Sequence, residues 1–360
     1  MLHRSGSIAA LALAAWLSAS CTSVNPHYDA SQSHHRPDGF NNNYVDRGDR
    51  PSFWRWQLQR WTGELPAQDV SRVPRTRPDL AYLRTNVHDV TVTWIGHSTA
   101  LWQIGGLKIL TDPHFSDRAS PLSFAGPKRE VPLPVQLADL PRIDLVLISH
   151  NHYDHLDLRT VQALAAQPGG SPLFVVPLGI ELWLQEQGIT RSRAIDWWDR
   201  IELPAPNGTV AVSLVPVQHW TGRTLWDRNR VLWGGFVVQG RVAGRPYSMF
   251  HTGDTGYSKD FEDIGARFGG FDFSQIAVGC YLPRWFMKVQ HVDEEEAVRI
   301  HLDVKSRRSI GVHWGTFRLC DDPVEAPLDG LPKARALHGV AADEFTLLAL
   351  GQTLVLERDH

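Results

Sequence analysis

The stretch that decides the fold is His150-Asn151-His152-Tyr153-Asp154-His155, which follows the apolar run 143–149. A continuous apolar run of this length is typical of a buried strand, so we expect the six residues to form a loop at a strand end. Imidazole nitrogens and carboxylate oxygens are ligands that zinc prefers. The first two histidines can bind one ion while the aspartate and the last histidine turn to a second. The spacing H-x-H-x-D-H therefore predicts a two-metal centre, with two Zn²⁺ expected and other divalent ions as alternatives.

Three further candidate ligands lie at or just after the ends of later predicted strands. His219 and His313 each follow an apolar run, and Asp254 lies in a turn flanked by glycines. Each residue alone would fit a core histidine or a turn aspartate, but their order after the first loop favours metal ligation. An aspartate can bridge two ions through its two oxygens, and water held between two cations becomes a nucleophile near neutral pH. We therefore predict that Asp254 both binds the metals and takes part in catalysis.

Strand and helix patterns alternate from about residue 88 to residue 357, which we take as one catalytic domain. Apolar runs at 90–95, 101–104 and 107–111 predict an antiparallel meander that turns at Gly105-Gly106. Further strands are predicted at 173–176, 210–217, 231–238, 247–251, 276–279, 310–312 and 345–350, and helices at 160–166, 180–187, 260–268 and 293–301. This alternation indicates an α/β (α+β) fold.

The order of these motifs resembles that of the metallo-β-lactamase superfamily, with Asp254 where the zinc β-lactamases of the Cys-ligand kind have a cysteine. Longer stretches between about residues 40 and 320 are similar to the family of N-acyl-phosphatidylethanolamine-hydrolysing phospholipases D. They are TWIGHST (93–99), GPKR (126–129), ISHNHYDHLD (148–157), QHW (218–220), GDTGY (253–257), PRWFMK (283–288), QHVD (290–293) and HWGTF (313–317). The resemblance implies a four-layer αβ/βα sandwich with metal ligands His150, His152, Asp154, His155, His219, Asp254 and His313.

The activity that the resemblance implies is that of a binuclear zinc-dependent phosphodiesterase of phospholipase D type. A metal-bridging hydroxide would hydrolyse N-acylphosphatidylethanolamine-like phospholipids to N-acylethanolamine and phosphatidic acid. Fold and metals do not determine the substrate, so a lactone, a sugar-phosphate or cyclic ester, or a β-lactam stays open. A non-catalytic metal-binding envelope lipoprotein is the third alternative, and a complete set of ligands argues against it.

His291 is the candidate for contacting the phosphate or assisting the leaving oxygen, because it precedes a helix predicted to begin at the capping residue Asp293. A capping or core role is its alternative. Asp112 and His97 are candidates for orienting the metal-binding imidazoles. The remaining candidates for contacts around the metals or with substrate are Gln290, Tyr153, Lys128, Arg129, Arg284 and Trp285.

The N-terminus predicts export from the cytoplasm. Residues 1–21 have a short basic start and an apolar run too short to span a bilayer, and they end in small residues before Cys21. This pattern resembles a lipoprotein signal that leaves Cys21 lipidated, with plain cleavage as the alternative. We therefore expect an extracytoplasmic, membrane-anchored lipoprotein that faces the periplasm.

Residues 22–87 are predicted to form a tether followed by a Trp-rich amphipathic segment. The polar stretch 22–52, with His34 and His35, is expected to be a solvated linker. Trp54, Leu58 and Trp61 then recur at helical spacing, which suits either a membrane interface or docking on the catalytic domain.

Charge and cysteine content give weaker indications. The formal net charge of -3 and the pI near 6.6 give no electrostatic argument for a nucleic-acid partner. Phospholipid and a membrane surface are the expected partners, and a homodimer stays open. Cys280 and Cys320 fit either a disulfide or two buried thiols.

Overall fold

The computed structural model describes residues 24–45, 52–242 and 244–357. The strands are β1 His35–Arg36, β2 Gly39–Phe40, β3 Val90–Gly96, β4 Thr99–Ile104, β5 Leu107–Thr111, β6 Leu145–Leu147, β7 Leu173–Pro177, β8 Ser192–Ile195, β9 Arg200–Ala205, β10 Gly208–Val215, β11 Gly235–Val242, β12 Arg245–His251, β13 Phe273–Ala277, β14 Ser309–Val312, β15 Phe345–Thr346 and β16 Thr353–Glu357. The α-helices are α1 Phe53–Thr62, α2 Leu80–Thr85, α3 Leu158–Ala165, α4 Ile180–Glu186, α5 Asp260–Phe268, α6 Arg284–Met287, α7 Glu294–Asp303 and α8 Pro327–His338. The predicted signal segment and Cys21 lie outside the described residues.

The strands form two seven-stranded sheets within the described part of the chain. Their orders are β16-β3-β4-β5-β6-β7-β8 and β15-β14-β13-β12-β11-β10-β9. The predicted meander is confirmed, since β3, β4 and β5 pair antiparallel, and β5 to β8 then continue in parallel. Alternation along β4 explains the packing, because Ala100 and Trp102 enter the central core while Leu101 faces the helices.

Helices cover the outer face of each sheet. Val161 of α3 and Leu184 of α4 pack on the first sheet, and Phe261 of α5, Val298 of α7 and Leu331 of α8 pack with the second. The central apolar core lies between the two sheets. This arrangement confirms the four-layer αβ/βα sandwich.

Two predicted strands end or begin in different places. The prediction of a strand at 345–350 is wrong beyond Thr346. The chain leaves the sheet there, turns at Gly351 (φ 86°) and continues as the final strand β16, which pairs with β3. Strand 231–238 starts only at Gly235. Before it, the N–H groups of Leu232 and Gly234 donate to Leu178 and Ser149, so this stretch crosses towards the other sheet.

The prediction of a solvated linker at 22–52 is wrong for residues 24–45. His34 and His35 are buried, and their Nε2 atoms lie 2.7 and 2.8 Å from the two oxygens of Asp196. Phe40 is fully buried in the central core. The segment stays ordered because these contacts bury an aromatic ring and give both imidazoles an acceptor.

The Trp-rich helix α1 packs on the catalytic domain through Trp56, which is not on the apolar face predicted from the sequence. Trp56 stacks on Phe286 with ring centroids 4.8 Å apart, beside the disulfide that joins Cys280 and Cys320. Trp54, Leu58 and Trp61 instead point outwards and are 75%, 60% and 90% exposed. No helix within the described ranges is long and apolar enough to cross a bilayer.

Candidate metal centre

The loop 150–155 begins three residues after β6 and is held by a buried carboxylate. Asp112, at the end of β5, accepts hydrogen bonds from the Ser149 N–H and hydroxyl at 2.6 and 2.8 Å. It also faces Nδ1 of His155 and Nε2 of His251, each at 2.9 Å. One carboxylate thus contacts the loop, His155 and a histidine of β12, so Asp112 lies where its predicted orienting role requires. His251 was not predicted.

A first group of ligand atoms is formed by His150, His152 and His219, and these atoms lie within 4.8 Å of one another. The Ser149 hydroxyl gives its hydrogen to Asp112, so it accepts from Nδ1 of His150 and leaves Nε2 of that ring with a lone pair. Nδ1 of His219 donates to the Gln290 carbonyl at 2.9 Å, which likewise leaves a lone pair on its Nε2, 3.3 Å from Nδ1 of His152. Gln290 therefore acts through its backbone.

A second group is formed around Asp154, His155 and His313. Nε2 of His155 and of His313 each lie 3.1 Å from Oδ2 of Asp254, and 3.2 and 3.4 Å from Oδ2 of Asp154. Neither nitrogen has a hydrogen-bond partner. Burial would lower the pKa of His155, but Asp254, Asp154 and Asp112 raise it well above its ordinary value; in the neutral ring Nδ1 donates to Asp112 and Nε2 presents the lone pair.

Asp254 joins the two groups. Its Oδ2 atom lies 3.9 Å from Nε2 of His150 and 4.0 Å from Nε2 of His219, as well as 3.1 Å from the two histidines of the second group. Its Oδ1 atom is buried without a hydrogen-bond partner. The structure thus brings together all seven residues that the sequence singles out as ligands, with Asp254 between the two halves.

The electrostatics suit cations. Burial lowers the pKa of His152 and His219 to about 3, so both rings are neutral and able to coordinate. Burial would also lower the pKa of His313, but Asp254 and Asp154 raise it to about 9. Carboxylates that attract a proton so strongly equally attract a divalent cation. The donor set, the converging lone pairs and this charge fit two metal ions.

Three residues predicted to lie around the metals, His97, His291 and Tyr153, make different contacts. Nε2 of His97 lies 2.8 Å from the carboxylate of Asp154 rather than beside an imidazole nitrogen, and its ring packs on that of His313 with centroids 4.0 Å apart. His291 lies beside the centre, with its buried Nδ1 3.9 Å from Oδ2 of Asp254 and without a hydrogen-bond partner. Tyr153 packs under Arg223, whose guanidinium carbon lies 3.9 Å from its ring centroid.

Four further candidates for substrate contacts do not line the cavity above the candidate metal centre: Lys128, Arg129, Arg284 and Trp285. Arg284 binds Glu296 and the His291 carbonyl, so it supports His291 from behind. Arg129 donates to the His114 and Ser116 carbonyls, while Lys128 and Trp285 lie outside the cavity wall. Arg129 and Arg284 are thus engaged by groups within the protein.

The cavity above the centre has a volume of about 770 Å³. Its polar floor contains His152, Asp154, His219, Asp254 and His291. Its apolar wall includes Trp54, Trp56, Leu225, Phe286 and Met287. Arg223, Arg228 and Asn42 also line it and were not predicted, because single basic or amide residues in loops carry no sequence signal of their own.

Comparison with known proteins agrees with this architecture. The model of the Beta-lactamase superfamily domain matches residues 108–314. The chain is 41% identical over 231 residues to N-acyl-phosphatidylethanolamine-hydrolyzing phospholipase D 1 of Caenorhabditis elegans, covering 62% of this chain and 64% of that protein. It is 38% identical to the mitochondrial N-acyl-phosphatidylethanolamine-hydrolyzing phospholipase D of Saccharomyces cerevisiae, covering 66% of this chain and 50% of that protein.

Two further similarities concern hydrolases. A metal-dependent hydrolase of Anaeromyxobacter dehalogenans is 29% identical over 69% of this chain and 84% of its own length. The crystal structure of isothiocyanate hydrolase from Delia radicum gut bacteria matches with a TM-score of 0.56 at 20% identity, covering 74% of this chain and 99% of that chain. The latter shows the shared fold. The chain spans less than two thirds of the nematode and yeast proteins it resembles.

Proposed function

We propose a specific activity for this chain, which belongs to the beta-lactamase superfamily and is a hydrolase of the metallo-β-lactamase fold. The proposed enzyme is a binuclear zinc phosphodiesterase of phospholipase D type. It hydrolyses N-acylphosphatidylethanolamine-like phospholipids to N-acylethanolamine and phosphatidic acid. The observation that carries the proposal is the two-part cluster around Asp254 at the floor of a cavity with an apolar wall.

The chemistry divides between the metals and the chain. Two divalent ions, when bound, would activate water and neutralise the charge that develops on a phosphoryl group. Asp254 holds the two halves of the centre together, and Asp112 keeps His155 in the tautomer that coordinates. His291 faces the same floor with an unpartnered ring nitrogen, so it is positioned to meet a phosphate oxygen or the leaving oxygen.

The shape of the cavity supports a lipid substrate. A polar floor suits a charged headgroup, and a wall of Trp, Phe, Met and Leu side chains suits acyl chains. The relatives named as N-acylphosphatidylethanolamine hydrolases support the same substrate class.

The cavity mouth supports binding at a phospholipid surface. Trp54 and Leu225 line the cavity, and beyond them Trp61 and Trp226 are 90% and 81% exposed. Large exposed apolar patches mark interaction sites, and tryptophan is favoured at the depth of lipid headgroups. We propose that α1 and the loop 221–229 contact the membrane from which substrate enters.

Anchoring at the envelope is the second part of this proposal. Cys21, if lipidated, would hold the chain at the periplasmic side of a membrane. Radiolabelled palmitate should be incorporated into the wild type and lost in Cys21→Ala. Equal labelling of both proteins would refute lipidation at this residue.

The activity is tested by direct comparison of substrates. The protein without residues 1–21 is purified, its bound zinc is measured, and its turnover of N-acylphosphatidylethanolamine, a nitrophenyl phosphodiester and a chromogenic β-lactam is compared. We expect about two zinc ions per chain and release of N-acylethanolamine with phosphatidic acid. Cleavage of the β-lactam or of a lactone, without cleavage of either phosphodiester, would refute the proposal.

A further inference from the structure

The segment 24–45, which we name the N-terminal strap, runs from the side of the sandwich to the metal centre. It is anchored first at Asp196, which the two histidines His34 and His35 contact. The Asp29 N–H donates to Nδ1 of His35, so the hydrogen of that ring is on Nε2 and points at the carboxylate. Nε2 of His35 therefore donates a hydrogen bond to Asp196 and has no lone pair for a cation. This contact attaches the strap to the sandwich.

The second anchor brings the strap against the loop at the cavity mouth. The Phe40 N–H donates to the Asn229 carbonyl at 2.8 Å. Gly39 adopts φ 149°, and a Cβ at this position would collide with the same carbonyl. A glycine is therefore required for this close approach of two backbones. These contacts fix the position of the residues that follow in the strap.

Asn42 is the residue that the strap delivers to the metal centre. Its Nδ2 atom donates to the His219 carbonyl at 2.9 Å, and its Oδ1 atom accepts from the His219 N–H at 3.0 Å. One side chain thus satisfies both backbone groups of a buried candidate ligand. The ring of His219 is held separately by the Gln290 carbonyl.

We propose that Asn42 is a positioning residue for the metal centre, acting through His219. The inference rests on the ligand role of His219 in the proposed function and does not depend on the substrate. His219 lies beyond the end of β10, so regular strand pairing does not fix its backbone. Without the Asn42 amide, a buried N–H and a buried carbonyl would lack partners, and the loop would shift to find others. Such a shift would move Nε2 of His219 away from its two neighbours in the first group.

The test compares metal binding of Asn42→Ala with that of Asn43→Ala. Asn43 is a matched control, because its amide anchors the same strap to Asp260 at 2.8 Å and does not contact His219. Co²⁺ affinity is measured by chelator competition, together with the visible spectrum of the cobalt protein. We expect Asn42→Ala to weaken one of two binding steps by about tenfold and to change the spectrum, the low end of the effect seen for residues that orient ligands. Asn43→Ala should leave both steps unchanged.

A second variant separates positioning from folding and from charge. Asn42→Asp is nearly isosteric and adds a negative charge, which by Coulomb attraction alone would strengthen cation binding. It also sets a carboxylate oxygen against the His219 carbonyl, so positioning predicts weaker binding. Tighter or unchanged Co²⁺ binding in Asn42→Asp, or equal effects of the two alanine variants, would overturn the inference. A wild type that binds two ions but cleaves no N-acylphosphatidylethanolamine would refute only the proposed substrate.

Discussion

At the scale of single residues, hydrogen-bond partners decide which ring nitrogens are available for coordination. Ser149, Gln290 and Asp112 each occupy Nδ1 of a different histidine and leave its Nε2 pointing at Asp254. Partners of this kind fix the tautomer and orientation of a metal-binding ring. The centre is therefore prepared by residues that never touch the metal.

Asp254→Asn should lose metal and activity together. The amide keeps the size of the side chain but removes the charge that lies between the two groups of ligands. We expect less than one metal ion per chain and a fall in phosphodiester turnover of at least about a hundredfold, beyond the effect typical of residues that only orient ligands. Metal content is measured alongside turnover, with the surface change Asp263→Asn as the control. Retained activity would refute the bridging role.

His291→Ala should lower kcat while leaving metal content intact. Its Nδ1 lies at the cavity floor 3.9 Å from Oδ2 of Asp254, and the proposed function assigns this ring to the substrate rather than to a metal. Burial lowers the pKa of His291 to about 3, so the ring acts in its neutral form, and loss of a group that takes part in proton transfer typically costs about 10²–10⁴-fold in rate. A change confined to KM, or a loss of bound metal, would contradict this role and favour a structural or ligand role.

At the scale of elements, the sequence predicts buried strands better than edges. The β3–β5 meander and the strands that lead to His150 and His313 follow from apolar runs in the core. Strands β8 and β9 at the sheet edges are half-exposed and lack such runs, and α8 contains Pro332, which disfavours a helix prediction. The strap escaped prediction because its contacts with Asp196 and His219 are far apart in sequence.

The clustering of the candidate metal ligands could be predicted from the sequence for a different reason. Four of them fall within six residues, and so many imidazole and carboxylate side chains in one short loop have few explanations other than metal binding. Arg223 and Asn42 act singly, and their roles depend on loops whose positions only the folded chain defines. The basic residues of GPKR (126–129) and PRWFMK (283–288) are predicted to contact substrate phosphate. In the structure, Arg129 instead binds backbone carbonyls, and Arg284 binds a carbonyl and a carboxylate within the protein.

Substitution on α1 should separate membrane binding from chemistry. Leu58→Ser with Trp61→Ser removes exposed apolar surface of α1 that does not line the cavity, so binding to phospholipid vesicles should weaken by about tenfold or more, given about 25 cal/mol for each Å² of apolar surface. Hydrolysis of a soluble nitrophenyl phosphodiester should not change. Leu337→Ser, an exposed apolar residue of α8, is the control. Unchanged sedimentation of the double variant with vesicles would refute the membrane role of α1.

At the scale of the whole molecule, pH acts on stability through buried groups away from the centre. Burial raises the pKa of Glu294, at the start of α7, to about 7 from an ordinary 4.5. The folded protein thus holds this proton more tightly than the unfolded chain does. The contribution to stability is complete below the unfolded pKa and is lost as pH rises through about 7.

Glu294→Gln should therefore raise the melting temperature at pH 8 and have little effect at pH 5. The neutral amide avoids the cost of burying a charge, and an increase of about 2–4 °C at pH 8 corresponds to roughly 1 kcal/mol. The exposed neighbour Glu295→Gln is the control. Equal melting temperatures of wild type and Glu294→Gln across this range would show that the carboxyl is not titrating as expected.

Chelation should lower the thermal stability of the metal-loaded protein. A ligand that binds only the folded state stabilises it by about 2.7 kcal/mol at a concentration a hundredfold above its Kd. Calorimetry with and without a chelator measures the difference. An identical melting temperature in both conditions would contradict tight binding at the site.

The candidate ligands come from both halves of the sandwich, and each of the two groups contains residues from both halves. His150 to His155 follow β6 of one sheet, whereas His219, Asp254 and His313 follow strands of the other. Ions held among them would add a cross-link between layers that hydrogen bonds, such as that of Asp112 with His251, already join at this end. Bound metal would then favour the closed sandwich over any state in which the two sheets part at this end.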